Sequence, residues 1–261
     1  MDWERELLPY HQTADELRAK FNNLALQFTQ AENRTPIFSV ETRVKTVPSI
    51  MAKAHRKQIP IDRAFSEMDD IVGVRIICRF VDDIFIITRL INSRDDMRVV
   101  KEKDFVRSHK PSGYRSYHFV VEYNLNTVFG KQTVRAEIQI RTLAMNFWAV
   151  TEHGLRYKYQ GIIPENIASR LVKAAEAAHV LDSELGAIRD EILDAEKLAK
   201  NREEMVRDII HSIQELYQVS ETSTAQEMYN KFLNIWEVQG EEDLNHFYSD
   251  MQSIAQVHKV R

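Results

Sequence analysis

Two short polar motifs, Lys110-Pro111-Ser112-Gly113-Tyr114-Arg115-Ser116-Tyr117-His118 and Glu137-Ile138-Gln139-Ile140-Arg141, stand about twenty residues apart and are joined by runs that read as strands. Side chains alternate between the two faces of a strand. From Thr133 to Arg141 that alternation puts Arg135, Glu137, Gln139 and Arg141 on one face and Val134, Ala136, Ile138 and Ile140 on the other. The preceding run puts Ser116, His118, Val120 and Glu122 opposite Tyr117, Phe119, Val121 and Tyr123. A turn near Phe129 and Gly130 would lay the two polar faces side by side, as a floor that carries a carboxylate and an aromatic platform for a base.

Glu137 is the sharpest catalytic candidate, because a carboxylate in an apolar strand can ligate Mg²⁺ and accept a hydroxyl proton. A merely solvated strand face would explain it equally simply. The loop from Lys103 to Tyr114 mixes cations, an aromatic and a glycine; Gly113 permits a turn, and Tyr114 can stack on a base. His118 lies further along the same run, and its case rests on these neighbours.

Two upstream clusters could complete such a site. Arg43 and Lys45 occupy alternate extended positions, and Ser49 and Lys53 follow one helical turn apart, an array that can hold a triphosphate without a glycine-rich loop. An ordinary basic surface helix would look the same. Asp70 opens a buried apolar run and Arg75 lies within it. A buried arginine must be paired or reach a ligand. Either Arg75 pairs internally with Asp70, or Asp70 holds Mg²⁺ while Arg75 stacks on a base or clamps phosphate.

The elements that must position these residues read as an α+β fold. An amphipathic helix covers Trp3 to about Gln30, Thr35-Pro36 ends it, and an extended stretch runs from Ile37 to Lys45. A short basic helix spans Pro48 to Lys57, Ile71 to Phe80 reads as a buried strand, Asp82 to Asn92 as a helix and Met97 to Phe105 as a strand. With the hairpin this makes a mixed sheet of roughly five strands flanked by helices, ending near Thr142. Beyond Leu143 every segment reads as helix. Ile167, Leu171, Ala174, Ala178, Leu181, Leu185, Ile188, Ile192 and Ala195 form a heptad seam that calls for a partner, either the first helix or another subunit. Tyr229, Phe232 and Trp236 read as core contacts of the acidic helical segment that follows.

Charge is uneven along the 261 residues. Arg43 to Arg115 holds 16 Lys/Arg against 10 Asp/Glu, whereas Asp182 to Arg261 holds 8 against 17. The basic part suits a polyanionic small molecule, although RNA would suit the same field. The lone Cys78 reads as a buried thiol and excludes an intrachain disulfide. No apolar run reaches the roughly 18 residues that span a bilayer, and Met1-Asp2-Trp3-Glu4-Arg5 lacks the order of a signal peptide, so a cytoplasmic protein with no membrane partner is expected.

Taken in order, Arg43-x-Lys45-x-x-x-Ser49-x-x-x-Lys53, Asp70 to Arg75, Lys110-x-x-Gly113-Tyr114-x-Ser116-x-His118, Glu137-x-Gln139-x-Arg141 and Met145-Asn146-x-Trp148-Ala149-x-x-Glu152-His153 resemble the synthetase domain of the RelA/SpoT homologues, specifically the small alarmone synthetases of the RelQ type. The likeness covers about Met1 to Ala195. It implies a nucleotidyltransferase-like synthetase domain at 1–199, with its α/β core to about 160, and an acidic helical extension at 200–261. It also implies transfer of the pyrophosphoryl group of ATP to the 3′-hydroxyl of GDP or GTP, yielding (p)ppGpp and AMP. By resemblance Arg43, Lys45, Ser49, Lys53 and Arg75 hold ATP, and Asp70 and Glu137 bind Mg²⁺. Glu137 also activates the hydroxyl, Tyr114 stacks on guanine, and Lys110, His118, Gln139 and Asn146 complete the acceptor site.

Further expectations follow from the resemblance: a homotetramer, an allosteric response to (p)ppGpp, inhibition by single-stranded RNA, and no DNA partner. Because the motifs begin by residue 43, no hydrolase domain and no product degradation are expected. The basic segment Lys101-Glu102-Lys103-Asp104 leans toward GDP as acceptor. The competing classes are a catalytically inactive nucleotide- or RNA-binding regulator of the same fold and a nucleotidyltransferase that releases pyrophosphate.

Overall fold

The alternating runs pair as anticipated in a computed structural model, which describes residues 2–128, 130–158, 164–219, 222–238 and 241–259. The chain divides into two units, 1–187 and 188–261.

In the first unit, α1 (Trp3–Glu32) is followed by β1 (Ser39–Val44), α2 (Val47–Lys57), a tight turn and the short α3 (Ala64–Glu67), then β2 (Val72–Cys78), α4 (Val81–Asn92), β3 (Met97–Asp104), β4 (Tyr117–Thr127), β5 (Gly130–Thr142) and α5 (Leu143–Lys158); α6 (Glu165–Val219) begins in this unit. The sheet order is β1-β2-β5-β4-β3. β2 and β5 run parallel, and the other neighbours are antiparallel. The fold is therefore α+β with a mixed sheet, as the strand pattern indicated.

The helix boundaries have local causes. The Asp2 carboxylate accepts from Arg5 N at 3.3 Å and caps α1, and Glu4 and Glu6 suit the positive end of its dipole. Asn33 ends the helix in the left-handed region, with φ 52°. In α2, Pro48 occupies the first turn, where its missing N–H costs nothing, and Gln58 stops the helix at φ 56°.

One face of the sheet is the core. Leu17 and Phe21 of α1 and Ile84, Ile87 and Ile91 of α4 pack on Val72, Val74 and Ile76 of β2, Phe119 and Val121 of β4, and Ala136, Ile138 and Ile140 of β5. Each of these side chains larger than alanine contributes roughly 1.5–3 kcal/mol by leaving water. This burial fixes register, because a slip of one residue would send Glu137 and Gln139 into the core and Ile138 and Ile140 out of it. Cys78 is buried as expected, and burial pushes its thiol pKa well up.

The second unit has its own core, from Ile209, Ile213 and Leu216 of α6, Phe232 and Ile235 of α7 (Thr222–Val238), and Leu244, Phe247 and Met251 of α8 (Glu241–Lys259). Of the three aromatics expected there, only Phe232 is buried. Tyr229 is 40% exposed and Trp236 is 47% exposed, the latter leaning on Phe232 and covered by Arg202. Their helical spacing matches the core face only for Phe232, which the type of residue alone did not reveal.

The apolar stripe of α1 is spent on the sheet. Leu181 and Leu185 are 51% and 43% exposed. No described helix is long and apolar enough to cross a membrane.

Candidate active site

The opposite face of the sheet is the polar floor, and β5 runs through its middle. Register places Glu137 beside Gly73 of β2 and beside Val120 of β4, and places Gln139 between Arg75 and His118. On the outer side of β2, Arg43 lies beside Gly73 and Glu41 beside Arg75. Two clusters therefore meet along one strand.

The first cluster lies between β1, β2 and β5. Arg43, Asp70, Arg75, Glu137 and Gln139 line one cleft, together with Glu41, Thr42, Gly73 and Val74. Gly73 lets the Arg43 side chain lie close over β2, since a Cβ there would come within 3.3 Å of Arg43 Nε. Asp70 Oδ2 receives Lys45 Nζ at 2.7 Å and Lys53 Nζ at 2.5 Å. Burial raises the pKa of Asp70, but hydrogen bonds and charge from the two lysines outweigh it and hold the carboxyl below its usual range. The other oxygen, Oδ1, is buried and has no hydrogen-bond partner.

Arg75 pairs with Glu41 Oε2 at 3.1 Å, and the Asp70 to Arg75 ion pair considered from sequence does not form. The reason is reach: Asp70 is already engaged by Lys45 and Lys53, and the antiparallel register brings Glu41 beside Arg75. Burial, followed by repulsion from Arg141 and Arg43, lowers the Arg75 pKa, and its Nε is buried without a partner. Ser49 stands on α2 with its hydroxyl 2.9 Å from Thr46 Oγ1, outside the residues that line the cleft.

The second cluster lies over β4 and β5. His118 Nδ1 faces Glu137 Oε1 at 3.4 Å, and Gln139 Nε2 donates to Glu137 Oε2 at 2.8 Å. Burial raises the Glu137 pKa and Asp70 adds to that, yet His118 and Gln139 hold the carboxyl below its usual range, so it is ionised at neutral pH. The Tyr114 hydroxyl lies 2.7 Å from His118 Nε2. Lys110 Nζ stands 4.8 Å from the Tyr114 ring centre, and the Phe105 ring packs edge-on against both Tyr114 and His118. The loop holds this shape through a turn in which Gly113 N donates to Lys110 O at 2.8 Å, with Gly113 at φ 84°.

Asn146 joins the cluster from α5. Thr142 Oγ1 accepts from Met145 N at 3.0 Å, capping that helix, and donates to the buried Asp182 at 2.6 Å, so the helix start is fixed from both sides. Burial raises the pKa of Asp182.

Sequence reasoning gave no role to Arg141, which touches Ser116, Tyr114, Gln139 and Asn146. Alternation put it on the polar face, but nothing in the pattern showed that four neighbours converge on it. Glu41 was missed for the same kind of reason, since its partner is set by β1 to β2 register.

Comparison with known proteins now decides the family. Residues 42–162 match the region found in RelA / SpoT proteins. GTP pyrophosphokinase YjbM of Bacillus subtilis is 50% identical over 194 residues, which are 74% of this chain and 92% of that protein. This chain belongs to the RelA/SpoT family. Among its small alarmone synthetases, the structure of small alarmone synthetase 1 from Bacillus subtilis bound to its product pppGpp superimposes with a TM-score of 0.70 at 50% identity, covering 73% of this chain and 97% of that one. The same enzyme bound to AMPCPP gives a TM-score of 0.65 at 46% identity, covering 74% and 98%. Small alarmone synthetases thus share the fold of about three quarters of this chain, and about a quarter lies outside each match.

Proposed function

We propose that this chain is a (p)ppGpp synthetase that moves the β,γ-pyrophosphoryl group of ATP onto the 3′-hydroxyl of GDP or GTP. The observation that carries this reading is the place of Glu137, on the strand shared by the cationic cleft and the Tyr114 cluster. Family membership and the names of the relatives support the reaction class.

In this reading Arg43, Lys45, Lys53 and Arg75 hold the donor, with Ser49 at the edge of that array, and an arginine guanidinium stacks on adenine. Lys110, Tyr114, His118, Gln139 and Asn146 hold the acceptor, with guanine on the Tyr114 ring. Glu137 takes the proton from the 3′-hydroxyl. The oxygen forms a bond to the β-phosphorus, the bond from that phosphorus to the α-phosphate bridging oxygen breaks, and AMP leaves with the electron pair. Positioning and charge neutralisation supply most of the rate in such transfers.

Mg²⁺ fits the donor side. Asp70 Oδ1 is a buried oxygen with no hydrogen-bond partner, and Asp70 and Glu137 line the same cleft. Asp70 and Glu137 are the residues that would hold the ion. When bound, the ion neutralises charge on the donor phosphates.

A homotetramer is the proposed assembly. Leu143 and Phe147 of α5 and Leu171, Leu181 and Leu185 of α6 line an apolar groove, and Phe147 is 74% exposed. An exposed apolar patch of this kind marks an interface.

The test is incubation with Mg²⁺, γ-labelled ATP and GDP or GTP. Label on the guanine nucleotide with release of AMP is expected. Release of pyrophosphate would indicate a nucleotidyltransferase, and no turnover would indicate a regulator that only binds.

A further inference from the structure

The Arg141 guanidinium is buried, with the residue 5% exposed, and each of its side-chain hydrogen bonds goes to a neutral oxygen. Nε donates to Ser116 Oγ at 3.3 Å, Nη1 to Asn146 Oδ1 at 3.5 Å, and Nη2 to Tyr114 Oη at 2.6 Å and Gln139 Oε1 at 2.7 Å. The guanidinium carbon also lies 5.2 Å from the Tyr114 ring centre. Among the described residues no carboxylate pairs with it. Burying such a cation is costly, and an apolar residue would serve the fold at less expense.

We infer that Arg141 is a positioning residue for the acceptor nucleotide, because its fixed fork of donors sets the orientation of Tyr114 and Gln139 at once. The inference rests on the proposed synthetase reading. Arginine can only donate. Gln139 must therefore turn its carbonyl oxygen to Arg141, which leaves its amide nitrogen to meet Glu137 Oε2. Tyr114 must accept from Arg141, which turns its own hydrogen toward His118 Nε2 and leaves the ring proton on Nδ1, facing Glu137 Oε1. Two chains of donors, through Gln139 and through Tyr114 and His118, start at one guanidinium and end on the two oxygens of one carboxylate. Without Arg141 the carboxamide loses the donor that fixes its orientation, and the Tyr114 hydroxyl can donate to His118 Nε2 or accept from it, so neither direction is set.

Ser116 ties the hub to the backbone, because its hydroxyl donates to Ile140 O at 3.2 Å while accepting from Arg141. Asn146 brings in the first turn of α5. Three separate segments, the acceptor loop, β5 and α5, are thus held in one arrangement by a single side chain. Lysine carries the charge but lacks the planar fork, so it cannot reproduce the arrangement.

The experiment measures KM for ATP, GDP and GTP, kcat and thermal midpoint for the wild type, Arg141→Lys, Arg141→Gln, Tyr114→Phe and Arg141→Gln/Tyr114→Phe. Arg141→Gln should raise the acceptor KM at least tenfold while the ATP KM stays within twofold, and Arg141→Lys should recover less than half of that loss. Tyr114→Phe keeps the ring and the packing, so it reports on the link even if Arg141→Gln does not fold; it should raise the acceptor KM severalfold. Tyr114→Phe should add less than twofold when placed on Arg141→Gln, because the link it removes is already gone. Equal rises in both substrates' KM, an unmoved acceptor KM, full rescue by lysine or strictly multiplicative effects would each overturn the inference. A wild-type protein that makes no (p)ppGpp would instead overturn the synthetase reading itself.

Discussion

Ala175 and Gly113 meet so closely that a Cβ built on the glycine would lie 2.4 Å from the Ala175 methyl. The acceptor loop is thereby seated directly on α6. Arg115 reinforces the contact, reaching Glu176 Oε2 at 3.2 Å and Gly113 O at 3.4 Å.

Gly113→Ala should therefore act on acceptor binding. It introduces a Cβ at φ 84°, which costs about 1 kcal/mol of backbone strain, and a clash with a methyl that cannot swing aside. The expected result is a rise of at least tenfold in the KM for GDP and GTP with little change for ATP. Adding Ala175→Gly removes the clash but not the strain, so it should restore part of the loss. Steady-state kinetics on the two variants check this, and an unchanged acceptor KM in Gly113→Ala would refute it.

Glu137→Gln preserves shape while removing the base. General-base assistance is worth about 10²- to 10⁴-fold, so kcat should fall by at least a hundredfold while the thermal midpoint holds. Measuring AMP release in single-turnover conditions separates this from slow product release. Activity within tenfold of wild type would remove Glu137 from the chemical step.

Gly73→Ala addresses the donor side. The added Cβ would stand 3.3 Å from Arg43 Nε and 3.4 Å from its Cγ, atoms of a flexible side chain that can lift away. The fold should survive, and the ATP KM should rise a few-fold with the acceptor KM unmoved. The opposite pattern would mean that Arg43 serves the acceptor.

Much of this arrangement was legible before any coordinates. The period-two alternation around Ile138 and Phe119 assigned the faces of β4 and β5, because burying one face makes register almost obligatory. What the sequence could not reveal was pairing across distance. Glu41 meets Arg75 because β1 and β2 are antiparallel, and Asp70 meets Lys45 and Lys53 because Lys45 N pairs with Ile71 O and Ile50 and Ala54 of α2 pack with Ile71, next to Asp70. Arg141 stood in a recognised motif, yet its hub role depends on a loop, a strand and a helix converging. Trp236 misled because aromatic type is a weaker guide to burial than helical phase.

Acid stability should depend on Asp96. A hydrogen bond from Arg94 comes first among the causes, ahead of the opposing effect of burial and of a further bond from Lys20, and the Asp96 carboxyl is held down at about 2. Lys20 lies on α1 and Asp96 just before β3, so the pair ties helix to sheet. A carboxyl with a depressed folded pKa stabilises fully above its unfolded value, near 4, and loses that contribution as pH falls toward 2. Asp96→Asn should thus be less stable than wild type at neutral pH, with the gap closing between about pH 4 and pH 2. Thermal denaturation across that range reads the gap directly; a gap that persists at pH 2 would mean the loss is one of packing.

The two cores make a last prediction about the C-terminal segment. No residue assigned to the site lies beyond Asn146, and the core beneath the sheet ends at Met145, whereas the second core begins at Ile209. Each set of apolar side chains is buried within its own unit, so calorimetry of the whole chain should resolve two transitions. Ending the chain after residue 199 should abolish one transition and leave kcat and both KM values within about twofold, because the sheet, the acceptor loop and its seat at Ala175 are retained. A shortened chain that folds but loses more than tenfold in kcat would show that residues 200–261 act on the catalytic unit, and the helical extension would then belong to the mechanism rather than stand beside it.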